Sequence, residues 1–397
     1  MPSEQPVRGY IDGCFDIMHS GHYNAIRQAK SICDVLVVGI HSDQEIAENK
    51  SMPVMHQDER YRLLDHIKWI DEILYDVPYS PEIATLERAR ADFCIHGDDM
   101  PVNSQGFCAY DEMRNAGRLR IIKRTEGVST TDLIGRLLTL SRTQPVFQEL
   151  GASPMSSDEV LSASSDFVER LVAKYHMEAA DAKALRRAVG AEAEGDAEGA
   201  EATRSQVPVQ LLASTRRIRE FSAARQPSAE DQVVYACGSF DMFHVGHAEF
   251  LRDARQLGSF LLVGIYDDAS ISKAKGQNLP VMNLNERVLN VCACKWVDEV
   301  IIGAPMKVTE DLLKTWDVRL VVRGSGHKRT ALATEHFEVP KRAQIFKEIP
   351  SRWPELCHDT VVERIIHDRE QYLSRNKDRA KREDTYYETK TAANLEA

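Results

Sequence analysis

The segment YIDGCFDIMHSGH at residues 10–22 returns as YACGSFDMFHVGH at residues 235–247. A segment this unusual, repeated with matched flanks, constrains the chain to two copies of one folding unit. Each copy opens on a short apolar run and turns at Gly13 or Gly238. It then enters a helical pattern: Ala25, Ile26 and Ala29 in one, Phe250, Leu251 and Ala254 in the other. This is the strand–loop–helix opening of a nucleotide-binding α/β unit. The paired histidines therefore fall at a helix N-terminus, where unsatisfied N–H groups and the helix dipole suit a polyphosphate. Gly21 and Gly246 remove the Cβ that would keep backbone and second imidazole away from phosphate oxygens. Chance and metal binding are the competing readings of a single H-x-G-H. The second copy removes chance, and no H-E-x-x-H or cysteine pair accompanies the histidines to favour metal.

Further landmarks keep the same spacing in both copies. Lys50 follows His19 at the distance at which Lys275 follows His244, and the Trp-x-Asp-Glu of 69–72 recurs at 296–299. In the first copy, apolar runs at 34–40, 72–74 and 92–97 and the run RLRIIKRTEG read as strands. Helical patterns at 44–49, from Gln57 through Ile67, at 81–90 and at 110–116 separate them, and STTDLIGRLLTL opens a last helix with Ser129 as N-cap. The alternation predicts α/β architecture: two tandem doubly wound, Rossmann-like parallel sheets, whose ligands bind beyond the carboxyl ends of the strands. Boundaries are expected at 1–145 for the first domain, 146–232 for a partly helical linker, 233–367 for the second domain and 368–397 for a charged helical tail. Within the linker, residues 190–206 are acidic, rich in Ala and Gly, and without apolar periodicity, as a solvated connector is.

Composition narrows the partners. A net charge of −11 disfavours a general nucleic-acid binder. The eight cysteines form no C-x-x-C pair, the N-terminus lacks a signal pattern, and no apolar run is long enough to span a bilayer. A reducing, cytoplasmic setting is expected, and the charged tail lacks the apolar stripe of a membrane-surface helix.

With H-x-G-H in one place and RTEGVSTTD at 124–132 in another, the chain resembles the cytidylyltransferase family over about 7–141 and 233–367. The resemblance implies transfer of CMP from CTP to phosphoethanolamine, giving CDP-ethanolamine and pyrophosphate, with Mg2+ carried mainly by the CTP phosphates and no dedicated metal cage. A substrate phosphate attacks the α-phosphorus, so the catalyst has to position two anions and spread charge rather than supply a nucleophile. His19, His22, Lys50 and Arg124 are the expected catalytic residues. Cys14, Phe15, Asp16, His96, Gly97, Thr125, Ser129, Thr130 and Thr131 are expected around CTP, with Asp16 orienting a histidine or approaching magnesium. Tyr79, Asp98 and Tyr110 are expected around the amino-alcohol headgroup, where Val102 stands in place of a tyrosine of choline-specific relatives. Arg60 and Arg287 follow a glutamate at a helix start, where an ion pair and a substrate contact are both open. Trp69 and Trp296 read as core.

Aligning the copies on their Trp-x-Asp-Glu turns His96 into Arg323, Asp98 into Ser325, Tyr110 into Phe337 and Arg124 into Ser351. Thr130 and Thr131 become Cys357 and His358. A residual CTP cleft of Ser239, Phe240, His244, His247 and Lys275 with little or no chemistry is expected, with Arg352 as the one replacement for the lost arginine. Intrachain pairing of the two copies, with further oligomerisation open, is also expected. The rival functions are choline-phosphate or glycerol-3-phosphate cytidylyltransferase, an adenylyltransferase sharing H-x-G-H, and a non-catalytic nucleotide-sensing scaffold.

Overall fold

The structure, a computed structural model, describes residues 5–50, 52–98, 108–125, 130, 133–134, 136, 211–222, 225–275, 279–325 and 335–367. Ser129, Thr131 and Val102, the linker up to residue 210 with its acidic segment 190–206, and the tail from 368 lie outside the described residues.

The first copy forms a parallel sheet of five strands: β1 (Arg8–Gly13), β2 (Val35–Ile40), β3 (Glu72–Tyr75), β4 (Phe93–Gly97) and β5 (Leu119–Ile122), in the spatial order β3-β2-β1-β4-β5. The second repeats it with β6 (Val233–Gly238), β7 (Phe260–Ile265), β8 (Glu299–Ile302), β9 (Val318–Ser325) and β10 (Phe346–Pro350), in the order β10-β9-β6-β7-β8. Runs such as VLVVGI and FLLVGI are apolar throughout because the central strands of a parallel sheet are covered on both faces. In each half the chain winds outward from the first strand and then returns to its other side. A crevice therefore opens between the carboxyl ends of β1 and β4, and of β6 and β9.

Helix α1 (Ser20–Lys30) follows β1, α2 (Asp43–Asn49) follows β2, and α3 (Gln57–Leu64) leads toward β3. Helix α4 (Ile83–Ala89) precedes β4, and α5 (Asp111–Asn115) precedes β5. Helix α6 (Leu211–Phe221), inside the stretch expected to be linker, sets Phe221 edge-on against Trp69 at 5.0 Å. In the second half, α7 (Val245–Arg255), α8 (Asp268–Lys275) and α9 (Leu284–Ala293) are the counterparts of α1, α2 and α3. Helices α10 (Glu310–Thr315) and α11 (Glu338–Arg342) match α4 and α5, and α12 (His358–His367) follows β10.

The helical pattern from Gln57 through Ile67 ends at Leu64, earlier than its periodicity predicts. Ile67 instead makes an antiparallel bridge with Cys294, its own counterpart in the second copy. The Lys68 N–H donates to the Ala293 carbonyl at 3.1 Å, and the Lys295 N–H to that of His66 at 2.8 Å. A position that pairs with its own repeat marks a pseudo-twofold axis between the halves. Around it α1 packs on α9 and α7 on α3. One buried cluster accordingly draws on both halves, with Tyr23, Ile26 and Leu64 from the first and Leu251, Val288 and Val291 from the second. Trp69 and Trp296 are partly buried against this cluster, as expected, and the Trp296 indole N–H donates across the seam to His66 Nδ1 at 2.7 Å.

Candidate active site

His19 is the N-cap of α1, in extended conformation, and His22 is the third residue of the helix. The Gly21 amide donates to His19 Nδ1 at 3.1 Å, and the His19 amide donates to His22 Nδ1 at 3.4 Å. The two imidazoles thus form the reciprocal cap that a serine and a glutamate make elsewhere. Because each Nδ1 accepts a backbone N–H, the proton of each neutral ring is assigned to Nε2, leaving two Nε2–H donors on rings 4.0 Å apart. The second copy reproduces the arrangement: Gly246 to His244 Nδ1 at 3.1 Å, His244 to His247 Nδ1 at 3.3 Å, rings 4.0 Å apart. A Cβ at Gly246 would lie 2.9 Å from His244 Cε1, so this ring position requires glycine.

The loops that lead into these helices are strained alike. Phe15 and Ile17 adopt φ of 50° and 42°, and Phe240 and Met242 both adopt 48°. Left-handed backbone at a bulky residue persists only where its surroundings hold it. Arg60, 1% exposed, is one such support: its guanidinium donates to the carbonyls of Met55, Cys14 and His41 and pairs with Asp43 at 2.6 Å. Arg287 does the same with Met282, Ser239, Tyr266 and Asp268. Of the two readings open for these arginines, the ion pair is the one the structure contains, and both are interior braces of the loop.

Asp16 is a second brace. Its two carboxylate oxygens accept the amides of Val54 at 3.0 Å and Met55 at 2.8 Å, so it anchors the loop that carries them. Asp241 anchors Val281 and Met282 identically. Among the described residues, no group of three or more His, Cys, Asp or Glu is placed to hold a metal ion.

Burial, with the nearby cations of Lys50 and Arg124, holds the His22 ring down to about 4, and burial, His22 and Arg124 push His19 well below its ordinary range. Both rings are neutral donors at physiological pH. Lys50 caps the end of α2, lies 5.3 Å over the Tyr79 ring and reaches Cys14 Sγ at 3.7 Å. The Arg124 amide donates to Asp98 at 3.1 Å. Thr125 is buried and takes a hydrogen bond from Asn24 of α1 at 2.8 Å, while Thr130 donates to the Asp16 carbonyl at 3.2 Å. His96 lies near the end of β4, its Nδ1 3.0 Å from the Gly97 carbonyl and its ring 4.3 Å from that of Tyr110. Tyr79 is buried beside His41, with ring centroids 5.5 Å apart.

One residue of the crevice escaped sequence reasoning. Asp12, buried near the end of β1, accepts hydroxyls from Tyr10 at 3.2 Å and from Tyr110, and burial raises its carboxyl to about 6. The Tyr110 hydroxyl is thus committed to Asp12. Comparison of the copies carries the signal, since the matching position is Cys237 and the matching tyrosine is Phe337.

The second crevice keeps Lys275, 3.2 Å from Ser239 Oγ, and burial, Lys275 and His358 hold His247 down to about 3. A further cation is diverted. Arg352, the one replacement for Arg124, is drawn to Asp253 at 2.8 Å on α7, and Trp353 lies against the helix start, its Cβ 3.6 Å from where a Gly246 Cβ would stand. Farther along this crevice, Arg323 sits 5.8 Å over Phe337, where the first crevice has His96 and Tyr110.

These pKa directions fix a pH dependence. An unfolded histidine takes its proton near 6.5, whereas burial makes the His22 and His41 rings refuse it until about 4 and His247 until about 3. Between those values the unfolded chain binds more protons, so this stability is full above pH 6.5 and falls as pH drops toward 4. Asp12, raised from 3.8 to about 6, opposes this with a single group. Thermal midpoints measured across this range should fall with pH, and His22→Gln should flatten the slope; a flat wild-type profile would contradict the neutral-ring assignment.

Two parallel sheets of like order, each with an H-x-G-H helix start at its crevice, define a tandem Rossmann-like nucleotidyltransferase. The family model described as Cytidylyltransferase-like matches residues 10–136 and 235–351, and the chain belongs to that family. It is 38% identical over 394 residues to the ethanolamine-phosphate cytidylyltransferase of Dictyostelium discoideum, covering 97% of this chain and 98% of that one. It is 36% identical to the Mus musculus protein of the same name, covering 96% and 91%. The choline-phosphate cytidylyltransferase A of Mus musculus is 39% identical over 140 residues, 34% of this chain and 38% of that one. No helix among the described residues is long and apolar enough to cross a membrane.

Proposed function

We propose that this chain transfers CMP from CTP to phosphoethanolamine in the first crevice. An oxygen of the substrate phosphate attacks the α-phosphorus in line, one P–O bond forms, and the bond to pyrophosphate breaks. What carries the reading is the convergence of Lys50 and Arg124 on the neutral His19–His22 pair. His19 and His22 donate Nε2–H to the CTP phosphates, Lys50 steers the α-phosphate and the incoming phosphate, and Arg124 neutralises charge on the leaving group. The loop at Cys14, Phe15 and Asp16, together with His96, Gly97, Thr125, Ser129, Thr130 and Thr131, binds the nucleotide. Asp98 and the Tyr79 and Tyr110 rings line the headgroup pocket, where a primary ammonium with three donors prefers carboxylate and carbonyl partners. Mg2+ would be held mainly by the CTP phosphates rather than by a dedicated set of side chains, and would supply charge neutralisation there.

The second crevice, with Ser239, Phe240, His244, His247 and Lys275, binds CTP without turning it over. The setting is cytoplasmic, and the two halves act as a pair within one chain. The choice of amine rests on relatives: those named for ethanolamine phosphate align along nearly the whole chain, the one named for choline phosphate along about a third of it. Pyrophosphate release from CTP with phosphoethanolamine, phosphocholine and glycerol 3-phosphate tests the reading. Release with phosphoethanolamine should exceed the others by at least about 100-fold in kcat/KM, the scale set by leaving a headgroup's polar partners unpaired. Equal rates, or none, would overturn it.

A further inference from the structure

Each half sends an arginine across the seam. Arg136, helical like Thr130, donates from Nη1 to the Val281 carbonyl at 3.2 Å and to Glu286 at 3.0 Å, and from Nη2 to the other Glu286 oxygen at 3.3 Å. By the same pseudo-twofold relation, Arg364 of α12 donates to the Val54 carbonyl at 3.2 Å and to the two Glu59 oxygens at 2.7 and 2.8 Å. Val54 and Val281, like Glu59 and Glu286, are counterparts at the spacing set by the Trp-x-Asp-Glu. Arg136 and Arg364 stand one position farther apart than that spacing. The structure therefore corrects the alignment of this helix by one residue and sets His358, not Cys357, opposite Thr130.

The acceptors are built in advance. Glu59 and Glu286 are 5% and 6% exposed, and each also accepts the N-cap amide of its own helix at 2.9 Å, His56 and Asn283 respectively. The Val281 amide is held by Asp241. Thr130 in turn is tied to the Asp16 carbonyl. Thr130 and Arg136 are both helical and six positions apart in the sequence. The contact exists in both directions although only the first copy carries RTEGVSTTD, so holding the helix is separable from touching a ligand.

We propose that Arg136 and Glu286 are positioning residues: the second half, through its Val281–Glu286 receptor, holds the helical segment that presents Thr130 to the phosphates bound in the first. This rests on the reading that the first crevice transfers CMP. A bidentate guanidinium–carboxylate contact fixes direction as well as distance, and a donor misplaced by about an ångström loses transition-state contact before it loses ground-state binding.

The test compares Arg136→Ala, Glu286→Gln, their double variant and Arg136→Lys in the full chain. Each single loss should lower kcat about 10- to 100-fold with KM for CTP within about threefold, the double should be no worse than the poorer single, and lysine should recover part. Multiplying losses, a raised KM with intact kcat, or activity that falls only in step with the folded fraction would overturn the proposal. Should Arg136→Ala not fold, Glu286→Gln and Arg136→Lys carry the comparison. Hydrogen exchange over 130–136 reads the contact without any substrate: faster exchange in the variants supports it even if wild-type turnover fails, and unchanged protection overturns it.

Discussion

Replacing His22 by Ala should lower kcat about 100- to 1,000-fold, the cost of removing one preorganised donor from a developing anion, and His19→Ala should do at least as much. His19 is the more severe because it is also the N-cap of α1 and loses the Gly21 contact, which adds about 1 kcal/mol of lost stability. The counterpart changes, His244→Ala and His247→Ala, should lower turnover by only about threefold, the scale of a coupling carried through the seam. Their rings have the same geometry, but Ser351 aligns with Arg124 and Arg352 is engaged on Asp253. The guanidinium that stands beside the first histidine pair is thus engaged elsewhere in the second. Pyrophosphate release measured on all four variants, with thermal midpoints as the control for folding, decides the matter. Comparable losses in both pairs, with CTP affinity retained, would mean that both crevices react.

Arg60→Leu should destabilise the fold by about 3–5 kcal/mol, because it removes the guanidinium shared by Asp43 and the Cys14, His41 and Met55 carbonyls. The loop at Phe15 and Ile17 then loses what keeps its left-handed backbone in place, so activity should fall together with stability. Arg287→Leu should cost a similar amount in the second half, where the bracing is repeated around Asp268 and Ser239. Urea unfolding measures both. A variant that raised KM while its unfolding midpoint stayed in place would show that Arg60 meets substrate instead.

Arg60 also shows where reading the chain alone stops. A glutamate followed by an arginine at a helix start is consistent with an ion pair or a ligand contact, and only the approach of the Cys14, His41 and Met55 carbonyls from three separate segments makes it a brace. Asp16 reads as a partner of magnesium or of a histidine for the same reason: nothing in its neighbours along the chain places the Val54 and Met55 amides against its carboxylate. Asp12 lies within the repeated segment, yet its role depends on Tyr110, 98 residues away. Ile67 continues a helical period and leaves it for a bridge between the halves, a case of tertiary contact overriding local preference.

What the chain determined by itself is local or repetitive: the apolar runs that become the buried strands, the glycine that lets an imidazole cap its own helix, and a duplication whose equal spacings imply two like sheets. These follow from residue type and short-range sterics, which need no partner from elsewhere. What only the tertiary structure decided is which charges meet. The pairing of Arg136 with Glu286 and of Arg364 with Glu59 joins positions 150 and 305 residues apart. Such contacts depend on how two cores close around a shared axis, and the free energy of that closure is spread over the whole apolar seam rather than written in any one stretch of sequence.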